Sequence, residues 1–481
     1  MLEQLEQFLA SAVLPALLEP GEPILQLTDG NHSLEPRSSH VLLQAWEEHR
    51  NLSRRVIRVS QPERGKLELA VQLFGGKEGK LLLLDLASPR TAEWRKRGRK
   101  LEFRERFRRF LTRELPEWSL AELTAEPNLE HSLSPAFPRA FLRRGNKGMA
   151  AIAAPPNLDD PAGILTFGFI WLRYLRIREP KLGIEELLLL LPAGREKQTV
   201  LRLSCLNQPC LLYIYDEDDA SVRVDPRDAG NLDTMLAACH RAPARPETPD
   251  PELTAIPGFE QVAQPDGSRS LRIYGLEFAR APGKSSEREI LAHARELSRL
   301  RSEPGSMLHA KDPERWLESQ VRAHLDQVDP TLRPAPVYGQ VPAFTAGDRG
   351  IADLLAIDHA GRLAVLELKA SADIQLPLQA LDYWMRVAQH AAAGDFTRAG
   401  YFPGHSVLPD LPRLLLVAPS LQFHSTAETV LSFFSPAIEV RRVGLSAHWR
   451  QEIRTMFRLN GADHPLASLS DNGQLSPCGP E

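Results

Sequence analysis

Two aliphatic runs, Ile351 to Ile357 and Leu363 to Leu368, flank the turn sequence Asp358-His359-Ala360-Gly361. Together they predict a β-hairpin, with Gly361 supplying the positive φ that closes the loop. Nearly every side chain in both runs is apolar, the pattern of a sheet covered on both faces. The exceptions are Asp353 and Glu367, with Lys369 just beyond the second run. Side chains alternate between faces along a strand, so Glu367 and Lys369 share a face. A three-residue loop sets Asp353 opposite Glu367 and on that same face. Burying unpaired charge is expensive, and a metal ion is one way to satisfy two buried carboxylates.

A helix is predicted next, from Pro377 to His390. It places Gln379 and Tyr383 one turn apart on one side, with Arg386 a little further along. Asp353 followed by Glu367-Leu368-Lys369 resembles the PD-(D/E)XK nuclease superfamily, of restriction-endonuclease-like fold. Gln379-x-x-x-Tyr383 resembles the Gln-x-x-x-Tyr motif of its RecB-like branch. Ala352 stands where the family's first motif often has Pro. The resemblance covers about a third of the chain, from Asp312 to Leu459.

The resemblance implies an αβββαβ core and a Mg²⁺-dependent (or Mn²⁺-dependent) phosphodiesterase acting on nucleic acid, DNA by expectation, in repair or defence. It implies metal ligation by Asp353, Glu367 and the Leu368 backbone carbonyl, with Glu318 of the preceding helix as a further ligand. Lys369 is implied to orient the attacking water or offset charge in the transition state. Gln379 and Tyr383 are implied to touch the scissile strand or to fix Lys369. The expected element order is helix, three strands, helix, strand, helix, strand, and it agrees with the order that resemblance requires.

A chain of 481 residues is too long for one ordinary domain. The expected fold class is multi-domain α/β: a β-rich N-terminal part, a small α/β region, and the nuclease-like C-terminal core. The expected divisions are 1–150, 151–241, a Pro-rich linker at 242–258, the nuclease-like domain at 259–461, and a polar tail at 462–481. Within the first division, strands are expected over 55–59, 66–74 and 80–86, then a strongly basic helix over 92–114. Arg97, Lys100, Arg104 and Arg108 on that helix, with Arg386, are the candidate nucleic-acid contacts. Charge occupies most of the helix circumference, which favours a solvated surface with Arg stems covering core.

A net charge of −4 argues against a globally basic nucleic-acid binder but leaves room for a local basic groove. Cys205, Cys210, Cys239 and Cys478 have neither CxxC nor paired-His spacing, so reduced thiols and a cytoplasmic setting are expected. The apolar runs are too short or too interrupted for membrane spans. A homodimer or a protein partner would engage the N-terminal half. Two other readings stay open: a non-catalytic nucleic-acid-binding scaffold on the same fold, and an effector whose segment 184–215 senses a ligand and switches the nuclease.

Overall fold

The sequence Lys66–Gln72 alternates buried and solvated side chains at period two, the mark of a sheet with one face on a core. It belongs to a seven-stranded antiparallel sheet built from Pro15–Leu18 to Glu78–Asp85. The amphipathic helix Leu2–Ser11 sets Leu5 and Phe8 against that sheet's core. Expected strands at 55–59, 66–74 and 80–86 correspond to Arg50–Val59, Lys66–Gln72 and Glu78–Asp85. The computed structural model describes every residue except 29, 48–49, 62, 74–76, 227–240, 244–249, 265, 284–285, 343–350 and 464–481. The side chains of 50, 97, 340–342 and 351–352 also lie outside the description. The whole is a mixed α/β protein of several sheets, a curled half-barrel among them. Among the described residues no helix is long and apolar enough to cross a membrane.

Two six-stranded sheets make up most of the rest, and their connectivity is the same. In the central unit Ser119–Thr124, Arg139–Arg144 and Lys147–Ala153 pair antiparallel. Gly183–Pro192 and Cys210–Tyr215 then add in parallel, and Ser221–Val224 closes antiparallel. In the C-terminal unit Tyr338–Pro342, Ile351–Ile357 and Leu363–Leu368 pair antiparallel. Arg413–Pro419 and Val440–Leu445 add in parallel, and Thr455–Asn460 closes antiparallel. Each unit carries a long helix between its third and fourth strands, Ile164–Arg178 and Leu376–Ala392. Each has a short helix between its fourth and fifth, Lys197–Leu203 and Ala427–Leu431. A helix precedes each sheet, Ala92–Glu114 and Pro313–Ala323, and packs on the opposite face.

The expected division at residue 150 therefore falls inside a sheet. The strand around it, Lys-Gly-Met-Ala-Ala-Ile-Ala, is rich in alanine and carries little strand propensity. It is a strand because large side chains from helices on both faces, such as Phe107 and Phe169, leave room only for small residues. The basic helix belongs with this central sheet, not with the N-terminal one. Arg269–Ile273 and Leu276–Ala281 form a hairpin joined at Tyr274-Gly275. Gly275 has φ +77°, and a Cβ there would meet Arg315 O at 2.0 Å. The following helix Glu287–Ser302 opens on a capping box of Ser286 and Glu289. The Pro-rich segment contributes a short helix, Pro251–Thr254, while 244–249 and the tail from 464 lie outside the described residues.

The two units share one hydrophobic core. Ile152, Phe169, Leu187, Val365, Tyr383, Leu416, Val430 and Phe433 all belong to it. Phe169 stacks on Phe433 with centroids 4.5 Å apart. Arg202 makes a buried two-pronged ion pair with Asp382 across the seam, at 2.8 and 2.7 Å. Gln198 also donates to Asp382, at 2.8 Å, and Arg202 donates to Ala162 O at 3.0 Å.

Candidate active site

The hairpin forms as its sequence dictates. Ile357 pairs with Leu363, and Asp358 Oδ1 accepts from the backbone NH of Ala360 and of Arg362 at 2.9 Å each. Gly361 sits at φ +100° beneath Ser406 O, where a Cβ would approach to 2.3 Å. The pair Leu354–Leu366 ends the ladder and leaves Asp353 beside Glu367. Leu355, Ile357 and Val365 face the shared core, so alternation puts Asp353 and Glu367 on that same face. Asp353 Oδ2 accepts from the Leu368 backbone NH at 2.8 Å.

Glu367 is only 1% exposed, and among the described residues its Oε2 has no hydrogen-bond partner. Lys369 Nζ lies 3.8 Å from Glu367 Oε1, 3.8 Å from Glu314 Oε1 and 3.9 Å from Asp373 Oδ2. One ammonium shared at the limit of contact among three acids is a weak offset to the burial of Glu367. Burial pushes the Asp353 carboxyl up to about 7, with the nearby acid Glu318 adding to the rise and the Leu368 NH opposing it. Burial, then the charge of Asp353, drives Glu367 well above the ordinary carboxylate range.

The helix Leu376–Ala392 covers them. Gln379 Nε2 donates to Tyr383 Oη at 3.2 Å, so the expected pair is joined. Burial and then the charge of Glu367 raise the Tyr383 phenol, which places that ring in the electrostatic field of the carboxylates. Glu318 is buried and ion-paired to Arg322, which also meets Glu260 at 3.1 Å. It acts on Asp353 through space and is already matched by a guanidinium. The sequence reasoning did not reach Glu314 and Asp373, which flank Lys369. Glu314 stands one helical turn before Glu318, and that spacing was the available signal.

Of the candidate nucleic-acid residues, Arg104 and Arg108 make their contacts elsewhere. Arg386 is 3% exposed, packed within its helix's buried side, and offers no surface guanidinium. The basic helix packs Phe103, Phe107 and Phe110 on the face of the central sheet turned away from the shared core. Arg104 reaches Gly21 O at 3.4 Å, and Arg108 reaches Glu105 at 3.0 Å. Arg109 pairs with Asp219 at 3.1 Å, and Arg106 lies over the Tyr215 ring at 4.4 Å. Lys100 is exposed, and the Arg97 side chain lies outside the described residues.

Among the described residues no group of three or more His, Cys, Asp or Glu forms a ready cation cage. The donors that do converge are Asp353 and Glu367, with the Leu368 carbonyl beside them in sequence. An unpartnered buried carboxylate oxygen and two raised carboxyls are what an oxygen-seeking divalent ion would relieve, so the set fits Mg²⁺ or Mn²⁺. No family model, curated protein or solved structure matches this chain.

Proposed function

We propose that the C-terminal unit is a restriction-endonuclease-like core that hydrolyses phosphodiester bonds in nucleic acid, DNA by preference, with Mg²⁺ or Mn²⁺. The observation that carries this reading is the convergence of Asp353, Glu367 and Lys369 at the end of an otherwise aliphatic sheet, with Glu367 Oε2 left unpartnered. The order of helix, three strands, helix, strand, helix and strand supports the same assignment.

Asp353, Glu367 and the Leu368 carbonyl would hold the ion, which when bound makes its water more acidic and neutralises charge growing on the phosphate. Lys369, which lies among Glu314, Glu367 and Asp373, would orient the attacking water. Gln379 and Tyr383 form a joined polar pair above the acids, suited to the sugar-phosphate backbone. The test is cleavage of end-labelled duplex DNA in Mg²⁺. Wild type should cut, and Asp353→Asn, Lys369→Ala and chelated wild type should not. Retained binding without cutting by wild type would assign the chain to the scaffold role instead.

A further inference from the structure

The central unit repeats the C-terminal unit strand for strand, and the repeat can be aligned by residue. After each third strand the next NH donates to the neighbouring parallel strand: Ala154 N to Leu190 O at 2.9 Å, and Lys369 N to Val417 O at 3.0 Å. Leu190 and Val417 each stand two residues before the end of their strand. Lys369 therefore corresponds to Ala154, and Glu367 to Ile152. Arg139 faces Ile152 across the hairpin, in the place of Asp353. Ile152 and Ala154 face the shared core, as Glu367 does. Arg139 is buried and directs its guanidinium to Ser134 O, 3.2 Å away, and to Glu126 O. The whole acid–acid–ammonium set is thus absent from the central copy.

The copies meet about an approximate two-fold axis. Thr199-Val200-Leu201 and Thr429-Val430-Leu431 occupy the same short helix in each unit. Six residues after each threonine come Cys205 and Ser435, and Ser435 N donates to Cys205 O at 2.9 Å. On one side of that pair the chains run antiparallel, with Asn207 N donating to Phe433 O at 2.8 Å and Leu206 bridging Phe434. The ends that carry the two sets of positions also adjoin. Thr166, at the start of the central long helix, donates to Gln375 at 2.8 Å, just before the C-terminal long helix.

We infer that one chain is a complete pseudo-dimer that presents one strand of duplex DNA to Asp353, Glu367 and Lys369 and the other to the end of the central unit whose corresponding positions, Arg139, Ile152 and Ala154, are inert, so that it nicks. This rests on the hydrolytic reading above. The strands of a duplex are themselves related by two-fold axes, and a pair of units related in the same way receives one strand each. Faces that would join two such units are already buried inside one chain. Each event consumes one water. Its oxygen bonds to phosphorus, the bond from phosphorus to one sugar oxygen breaks, and the departing alkoxide takes up a proton.

The experiment is digestion of supercoiled circular DNA with the full chain in Mg²⁺ or Mn²⁺, followed over protein concentration. Open circles should accumulate about ten-fold or more faster than linear molecules, with a rate first order in protein, and Glu367→Gln should form neither. Linear product without an open-circle phase, or a rate second order in protein, overturns the single-strand inference and leaves the hydrolytic reading intact. Cutting confined to single-stranded DNA does the same. No cutting of any substrate overturns the hydrolytic reading, and the nick with it. Strand assignment supplies a readout independent of hydrolysis. Photocrosslinkers at Asp159 and Ser371 should mark opposite strands of a nicked-site duplex, and marking of the same strand overturns the pseudo-dimer placement.

Discussion

The central and C-terminal units have one connectivity and opposite chemistry. In the C-terminal unit the third strand ends in Glu367-Leu368-Lys369, and charge is buried without balance. In the central unit the same positions read Ile152-Ala153-Ala154, all with no exposed surface, and an arginine, Arg139, stands where Asp353 does, its two Nη atoms donating to carbonyls. One copy buries acids whose cost a cation could relieve. The other has no acid at these positions. The comparison teaches that this framework holds without the acids, so their presence in one copy asks for a reason beyond folding.

The largest expected effect tests that asymmetry directly. Glu367→Gln or Lys369→Ala should lower single-turnover cleavage by about a thousand-fold, as for loss of a main electrostatic group, whereas Ala154→Ser should leave it within about two-fold. Equal losses in both copies would break the comparison. Next comes the seam. Asp382→Ala leaves Arg202 buried without its carboxylate and should cost about 3–5 kcal/mol by chemical denaturation. Asp382→Leu combined with Arg202→Met should recover much of that, and if it does not, the pair has a role other than joining the units.

A third prediction concerns the charge of the buried carboxylates. Asp353 has its folded value raised from 3.8 to about 7. The folded state therefore holds its proton longer than the unfolded state does. Its contribution is fully present below 3.8, falls as pH rises through about 7, and is then flat. Asp353→Asn keeps an acceptor for the Leu368 NH and should be about 1–3 kcal/mol more stable than wild type near pH 8, with no gain near pH 4. Added Mg²⁺ should stabilise wild type near pH 8 and leave the variant unmoved. A variant less stable than wild type near pH 8 would show that the acids are already balanced.

Smaller effects sharpen the picture. Tyr383→Phe removes the hydroxyl that accepts from Gln379 and should slow cleavage by about ten-fold with little change in melting temperature. Lys100→Ala with Arg108→Ala should alter duplex affinity by less than about two-fold, because this helix lies on the far face of the central sheet and Arg108 already has a local acid. A large loss of affinity would place the duplex on that face instead.

Much of the site was legible in the chain because its signals are local. Period-two alternation and one glycine set Asp353, Glu367 and Lys369 together, and a four-residue spacing joined Gln379 to Tyr383. Glu314 and Asp373 were not found, since their approach to Lys369 comes from separate elements and depends on how the helix Pro313–Ala323 and the loop after Lys369 are seated. Arg386 looked available because helical spacing gives a direction but not what lies in that direction. The central hairpin was missed for a related reason. Its alanines have no intrinsic strand preference, and only neighbours on both faces make them a strand.

By itself, then, the sequence determined which segments extend, which coil, and which three charged groups one hairpin gathers. Backbone geometry and side-chain period suffice for that. That a second copy of the same framework exists, stripped of its acids and turned about a two-fold axis onto the first, was decided by tertiary structure alone. Leu, Phe and Ala state that a face is buried, but hydrophobic attraction has no direction, and only the packed pair reveals what each face is buried against.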